Sequence, residues 1–271
     1  MTTIEYPGFW LGPLGGLVAL PGYAGSVSTT REHDISYTKL LGGGLVGSVA
    51  PGRPMRSWSV SIPSADPDEL GGFRELLESD PYGLWWFVHP HARATNLLTP
   101  AMCDFPALVP GGMRPTVEGD SVVRSWLVGP GRVIRTGPVP VIRGVPVTGS
   151  AWLQGGTDAR VGLEFLNLAG NVVGMRSTLL NPNPGAMERV HVTADVPAGA
   201  VSVNLYVTQP TAFARPALSW TTGPTEWGHG AGASAVNVAG WSSDLVKAVF
   251  DPAVRLRRED ISFTVQEVRD A

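Results

Sequence analysis

The chain has 271 residues, enough for one large domain or two ordinary ones. Only 16% of the residues are charged, 43% are hydrophobic, and 34 glycines and 24 prolines are scattered along the chain; this composition favours short strands joined by turns over helices. The formal net charge of −3 argues against nucleic acid as the main partner. A single cysteine, Cys103, excludes an internal disulfide.

Two further classes are disfavoured by the distribution of apolar residues. No apolar stretch approaches the ~20 residues of a membrane-spanning helix, so we expect no membrane insertion. The first ten residues, MTTIEYPGFW, lack the basic and apolar regions of a signal peptide. We therefore expect a chain that folds in a reducing cytoplasm.

The first part of the chain predicts strand, helix and strand. In RSWSVSIP, residues 56–63, Trp58, Val60 and Ile62 alternate with serines, as in a half-buried strand. In DPDELGGFRELLESDP, Asp66 is a plausible N-cap, Pro67 fits the first helical position and Glu69 completes a capping box. Apolar residues at helical spacing then predict a helix over 67–79. The aromatic run LWWFV, residues 84–88, predicts a buried strand.

The middle of the chain predicts an all-β sandwich without helices. Alternating apolar residues in VGLEFLN, RVHVTADV and VSVNLYVT indicate successive strands. Gly170-Asn171 is the predicted bend after the first of them. This region extends to about Trp227.

After a stretch of small residues, the C-terminal part again shows the strand alternation of the N-terminal part. GHGAGASA, residues 228–235, has the composition of a flexible linker. DISFTVQEV then places Ile261, Phe263 and Val265 on one strand face, and the phase is lost near Glu267, which predicts a bulge or strand end. About 40 residues are too few to fold alone, so this tail should pair with the N-terminal part. The middle is then an insertion.

Two sequence motifs partly resemble ligand-binding sites, one for a dinucleotide and one for zinc. Gly42, Gly44 and Gly47 have the spacing of a dinucleotide-binding loop, but two prolines follow closely and no βαβ unit is visible, so a hairpin or loop tip is the prediction. His89 and His91, with Cys103 and Asp104 downstream, match no closed zinc pattern. We predict no metal site and no cofactor.

Catalytic signatures are also absent from the sequence. The carboxylates Glu118, Asp120, Asp158 and Glu164 are scattered through the middle region, where solvated side chains are the expectation and a glycosidase pair is the alternative. We therefore predict no catalytic residues and no enzyme activity.

Four tryptophans occur in the middle region: Trp126, Trp152, Trp220 and Trp227. Each is expected in a sandwich core, with a sugar-stacking platform as the alternative. Trp152 and Trp227 are the candidate glycan contacts.

The chain resembles minor tail proteins of long-tailed bacteriophages, of the distal tail protein type. The resemblance rests on RSWSVSIPSADPDELGGFRELLESDPYGLWWFVHP near the N-terminus and on REDISFTVQEV near the C-terminus. The middle resembles a carbohydrate-binding-module-like jelly roll of the galactose-binding type, through NLLTP, SAWLQGG, VGLEFLNLAGNVV, VPAGAVSVNLYVT and FARPALSW. Arg215-Pro216 stands where such modules often carry acidic residues associated with calcium, so the resemblance does not imply a calcium site here.

The resemblance implies a mainly β protein with a split tail-ring domain and an inserted β-sandwich. The predicted domains are residues 1–93 (first half of the ring domain), 94–230 (jelly roll) and 231–271 (second half). The implied partners are five further copies in a hexameric ring, the tail tube and tail tip or baseplate proteins, and host-surface carbohydrate. The implied location is the virion tail, assembled in the host cytoplasm. The alternatives are a carbohydrate-active cell-wall enzyme and a free-standing lectin.

Overall fold

The computed structural model describes residues 8–20, 26–32, 35–39, 45–49, 55–66, 68, 70–79, 85–104, 113–118, 121–127, 133–155, 158–180, 186–251 and 254–268. The chain divides into two compact units. Unit 1 comprises Met1–Gly12, Val18–Phe87 and Ser234–Ala271, and unit 2 comprises Pro13–Leu17 and Val88–Ala233. The sequence analysis predicts residues 94–230 for the jelly roll, and the main segment of unit 2 is Val88–Ala233.

The protein is mainly β, as predicted. Its elements in chain order are β1 (Phe9–Gly12), β2 (Val18–Leu20), β3 (Ser26–Glu32), β4 (Ile35–Lys39), β5 (Leu45–Val49), β6 (Met55–Ala65), α1 (Gly71–Ser79), β7 (Trp85–Val88), α2 (Pro90–Ala94), α3 (Pro100–Asp104), β8 (Met113–Glu118), β9 (Ser121–Leu127), β10 (Val133–Arg135), β11 (Val139–Pro140), β12 (Val147–Gln154), β13 (Arg160–Leu166), β14 (Val172–Leu179), β15 (Glu188–Ala194), β16 (Ser202–Thr208), β17 (Ala212–Ser219), β18 (Ala233–Asp251) and β19 (Val254–Glu267). No helix in the described part of the chain is long and apolar enough to span a membrane.

Unit 1 is built on a seven-stranded sheet with the order β2-β1-β7-β18-β19-β6-β3. Strand β6 follows the predicted alternation, because Trp58, Val60 and Ile62 are buried while Ser59 and Ser61 are exposed. All four residues of β7 are buried, as the aromatic run indicates.

The tail of the chain completes this sheet. Strand β19 pairs antiparallel with β6, with Ile261 opposite Ile62, Phe263 opposite Val60 and Val265 opposite Trp58. The predicted pairing of the C-terminal tail with the N-terminal part is therefore confirmed. The strand ends at Glu267, where the alternation is lost.

Helix α1 is shorter than predicted, because it begins at Gly71 rather than at residue 67. The Asp66 carboxylate accepts a hydrogen bond from the Asp68 amide, and the Gly71 amide donates to the Asp68 carbonyl. Asp66, the predicted N-cap, therefore lies in a turn that precedes the helix. Phe73 is buried as expected and contacts the ring of Phe263.

The glycine-rich loop lies between two paired strands. Strands β4 and β5 are antiparallel, with Lys39 opposite Leu45, so the predicted hairpin is confirmed. Gly42 and Gly44 lie outside the described residues, and Gly47 is within β5. A strand, not a helix, follows the glycines, and the dinucleotide-binding arrangement is excluded.

Unit 2 contains a sandwich of two antiparallel sheets. One has the order β10-β16-β13-β14 with β11 also paired to β16, and the other has the order β15-β12-β17-β9-β8. A Cβ atom placed on Gly149 of β12 would lie 2.7 Å from Leu205 and 2.8 Å from Leu163, so the inner faces are in close contact. The turn at Gly170 is also as predicted: Gly170 has φ +78°, and the Asn167 amide donates to the Asn171 carbonyl.

Two short helices that the sequence analysis does not predict, α2 and α3, lie between β7 and β8. His89 caps α2 by accepting a hydrogen bond from the His91 amide at its Nδ1 atom, 3.0 Å away. Thr99 precedes α3, and its hydroxyl accepts a hydrogen bond from the Met102 amide at 3.2 Å. Each helix begins with a proline, which is favoured at the first helical position. Helix α3 lies inside the region predicted to be all-β, so that prediction is wrong there, whereas α2 lies in the segment 89–95 that precedes it.

Candidate functional site

Strand β17 contains a bulge close to the candidate glycan contacts, Trp152 and Trp227. Ser150 of β12 is opposite Ala217, but Trp152 is opposite Ala214, so β17 contains one extra residue. Arg215 is at the bulge and has φ +48°, a left-handed conformation that is uncommon outside glycine. Such a bulge turns neighbouring backbone groups away from the sheet.

The bulge makes the Pro216 carbonyl a shared acceptor. It accepts hydrogen bonds from Asn96 Nδ2 at 3.1 Å and from Trp227 Nε1 at 3.2 Å. The buried Cys103 thiol lies 4.0 Å from the same oxygen. The Arg215-Pro216 pair, which departs from the family pattern, therefore has a structural role in this chain.

Trp227 is held from several sides. The Arg215 guanidinium lies 5.4 Å from the centre of its ring, within the range of a cation–π interaction, and His229 meets the ring edge-on at 6.2 Å. Together with the bond to Pro216, these contacts fix a side chain that is only partly buried.

Trp152 of β12 lies opposite Ala214 of β17, in an apolar setting. It is partly buried and packs against the buried residues Met187, Ala212 and Ala214. Trp220 is buried, and the Trp126 side chain is outside the described part of the structure. Trp152 and Trp227 thus contact three consecutive residues of β17, 214–216, and stay the candidate glycan contacts.

Asn96 joins the two ends of the sandwich region. Its side-chain amide donates to the carbonyls of Pro216 and Gly228, and its side-chain oxygen accepts from the amides of Leu98 and Leu218, at 3.0–3.2 Å. Its backbone carbonyl accepts from the amides of Ala231 and Gly232. We call this arrangement, comprising Asn96–Leu98, Pro216–Leu218 and Gly228–Gly232, the Asn96 junction; Asn96 itself is fully buried.

The predicted linker at 228–235 is part of this junction, and the prediction of a flexible linker is wrong. Gly230 and Gly232 are buried. A Cβ atom on Gly232 would lie 1.8 Å from the Leu97 carbonyl oxygen, and one on Gly230 would lie 2.3 Å from that of Leu98. These glycines are needed for close backbone approach, a role that composition does not distinguish from flexibility.

His89, His91 and Cys103, which the sequence analysis considers as zinc ligands, do not form a metal site. His89 uses Nδ1 as a helix cap and its ring stacks on that of His91, 5.9 Å away. The Cys103 thiol is instead in the Asn96 junction, 3.4 Å from Asn96 Nδ2. Among the described residues, no group of three or more His, Cys, Asp or Glu side chains is placed to hold a metal ion.

Of the four carboxylates considered from sequence, Glu164 has a defined environment. It is buried, and it accepts hydrogen bonds from Arg135 at 2.9 and 3.2 Å and from Asn204 at 3.1 Å. Asp158 is exposed, while Asp120 and the Glu118 side chain lie outside the described residues. Glu164 therefore links β10, β16 and β13 on the outer face of the other sheet.

Burial alone would raise the pKa of the Glu164 carboxyl, but hydrogen bonds from Arg135 and Asn204 and the charge of Arg135 outweigh it. The pKa is therefore held below its ordinary value of 4.5. A carboxyl whose pKa is lowered on folding stabilises the folded state above its unfolded pKa, and this stabilisation is lost as the pH falls through the folded pKa.

We expect Glu164→Gln to lower the free energy of unfolding by about 1 kcal/mol at pH 7, because Arg135 is half exposed and water weakens the ion pair. The difference from the wild-type chain should shrink as the pH falls below about 4.5. Urea unfolding across pH 3–7 measures this. The exposed Asp158→Asn is the matched control, with an expected change under about 0.5 kcal/mol at pH 7. A Glu164→Gln effect that does not change with pH would contradict the assignment.

Comparison with known proteins gives no family for the chain. No family model matches it, and no curated protein matches it. Among solved structures, the SPP1 Dit protein, described as a hub of the adsorption apparatus in phages infecting Gram-positive bacteria, is 14% identical, with 78% of this chain and 98% of that chain covered and a TM-score of 0.25.

Two other solved structures show a similar level of likeness. The enzymatically active domain of tailspike protein 4 of bacteriophage CBA120 is 11% identical with a TM-score of 0.24; 72% of this chain is covered, but only 19% of that one. The infectious bursal disease virus T13 particle protein is 11% identical with a TM-score of 0.28, covering 90% of this chain and 77% of that one. At these TM-scores the likenesses carry no argument about function.

Proposed function

We propose that this protein is a structural component of a bacteriophage tail, forming a ring that joins the tail tube to the tail tip or baseplate. One observation supports it most. The two segments that carry the tail-protein resemblance contribute β6, β7 and β19, which belong to one sheet although the segments come from opposite ends of the chain. The solved phage proteins named above add no argument to this.

The sandwich of unit 2 is proposed as an appended contact module. Its strands form an independent pair of sheets, and both of its chain ends meet at the Asn96 junction. We propose that the module contacts host-surface glycan or neighbouring tail proteins, with Trp152 and Trp227 as the candidate glycan contacts. We propose no hydrolytic activity for the chain.

We expect electron microscopy of the purified full-length protein, alone or with its tail neighbours, to show closed rings with six-fold symmetry. Light scattering measures the same mass in solution. Rings of this kind close through contacts in which each subunit meets the next with a different face.

Three results would contradict the proposal. Monomers at high concentration, together with absence of the protein from purified virions, would reject the ring. A monomer that binds glycan would favour the lectin alternative, and turnover of a cell-wall polysaccharide would favour the enzyme.

A further inference from the structure

Strand β14 has a free edge in the described structure. It is the terminal strand of its sheet and pairs there with β13 alone. Eight residues, Val172–Leu179, therefore present one row of backbone amides and carbonyls that the sheet does not use. Such an edge is a template for a further strand.

The side chains on this edge are unusually apolar for a surface. Val172, Met175 and Leu179 are 50%, 56% and 44% exposed. Including Val173 and Leu168 in the preceding turn, five of the nine large hydrophobic residues that are exposed in the described chain lie on this one hairpin. Concentrated exposed apolar surface marks an interaction site.

Strand β15, a terminal strand of the second sheet, shows how an edge is normally protected. In β15, Val190 and Val192 are buried while Glu188 and His191 are exposed, so the surface of that strand is polar. Strand β14 has no proline, lysine or carboxylate, and Arg176 is its only charged residue. Unprotected edges of this length invite pairing with another chain, and β14 is therefore suited to being covered.

The charge next to the edge indicates what covers it. A groove of about 470 Å³ lies between β14 and β15 and is lined by Arg176, Glu188, Arg189 and His191, among others. Arg176 and Arg189 outnumber the single carboxylate of Glu188, so the lining of the groove carries a net positive charge, and the Arg189 guanidinium also donates to the Ser150 hydroxyl and the Thr225 carbonyl. Two copies of β14 laid edge to edge would bring two such grooves together, and like charges oppose that pairing.

We propose that β14 is a docking edge for an extended strand of another protein, with apolar residues at alternate positions and carboxylate side chains between them. Backbone hydrogen bonds to the edge would supply affinity, and the alternating side chains would supply selectivity. Apolar residues of the incoming strand would cover Val172, Met175 and Leu179, and its carboxylates would face Arg176 and the groove. This inference does not depend on the proposed ring.

The test uses the full-length chain and two capped synthetic peptides of the same length as β14. One alternates valine with glutamate, and the matched control alternates valine with lysine. Fluorescence anisotropy should show the glutamate peptide binding at least about tenfold more tightly than the lysine peptide. Arg176→Glu should shift the preference towards the lysine peptide, which a merely unfolded variant would not do.

A pair of surface variants distinguishes specific binding at β14 from nonspecific binding to exposed apolar residues. Met175→Lys should weaken glutamate-peptide binding by about tenfold, because a charge replaces an apolar contact. Leu245→Lys, at a residue of β18 that is similarly exposed at 60%, should leave binding unchanged. Circular dichroism of each variant verifies folding.

Three outcomes would overturn the inference: equal binding of the two peptides, no binding at about 1 mM peptide, or equal effects of the two lysine variants. Self-association that Met175→Lys abolishes, without peptide binding, would assign the edge to a second copy and would also overturn it. Peptide binding would support the docking edge whether or not the full-length chain forms rings, so failure of the proposed ring and failure of this inference are distinguishable.

Discussion

Replacing Asn96 by alanine is expected to lower the free energy of unfolding of unit 2 by roughly 3–5 kcal/mol. The side chain is fully buried and makes four hydrogen bonds to backbone groups of Leu98, Pro216, Leu218 and Gly228. Alanine removes all four at once, and each buried group that loses its partner costs about 1–3 kcal/mol. Trp227 still donates to Pro216 in the variant, which limits the loss at that carbonyl.

Three further variants make this measurement specific. Asn96→Asp keeps an acceptor for the Leu98 and Leu218 amides but turns a carboxylate oxygen towards the Pro216 and Gly228 carbonyls in a buried site, so a loss at least as large as that of Asn96→Ala is expected. Gly232→Ala should be as damaging as Asn96→Ala, since its Cβ atom would lie 1.8 Å from the Leu97 oxygen. Asn171→Ala, at an exposed turn, is the control, with an expected change within about 0.5 kcal/mol. Thermal and urea unfolding of the full chain measure all four, and an Asn96→Ala loss below about 1 kcal/mol would show that the junction does not hold the unit together.

The strands were predictable because their signal is local. In β13 and β16, in residues 58–62 of β6 and in residues 261–265 of β19, every second residue is apolar and buried. A period of two is imposed by the pleat itself, so no knowledge of the partner strand is required. The split of unit 1 also followed from sequence, because its last strand has an apolar face and too few neighbours in sequence to cover it.

The Asn96 junction could not be predicted in this way. Asn96 bonds to residues 120 and 132 positions away, and nothing in NLLTP distinguishes a buried asparagine from a surface one. The bulge at Arg215 is likewise defined by its register against β12. In GHGAGASA, small residues indicated flexibility, whereas the structure uses them for close backbone contact.

The short helices are a different case, because a signal was present and was missed. Thr99-Pro100 combines a favoured capping residue with a proline at the first helical position. His89-Pro90 has the same form, with a histidine nitrogen in place of a hydroxyl. Each helix has only five residues, which is too short for apolar periodicity to reveal, so the cap was the only available indication.

Arg74→Ala is expected to lower the free energy of unfolding of unit 1 by about 3 kcal/mol. Arg74 of α1 forms a salt bridge with Glu259 of β19, whose side chain is 1% exposed, and the Ser243 hydroxyl donates to the same carboxylate at 2.5 Å. Removing the guanidinium takes the Arg74 charge away from a buried carboxylate, and breaking a buried ion pair typically costs 3–5 kcal/mol. The lower end applies because the Arg74 side chain is 31% exposed and water reaches it.

The matched control for Arg74→Ala is Glu75→Ala, an exposed neighbour on the same helix, with an expected change within about 0.5 kcal/mol. Adding Glu259→Gln to Arg74→Ala should recover part of the loss, because the unpaired charge is then absent; a double-mutant cycle measures this coupling. If Arg74→Ala costs no more than Glu75→Ala, the helix is not held by this ion pair. A loss that Glu259→Gln reverses would show that the sheet depends on α1 to neutralise a carboxylate that β19 carries into the interior.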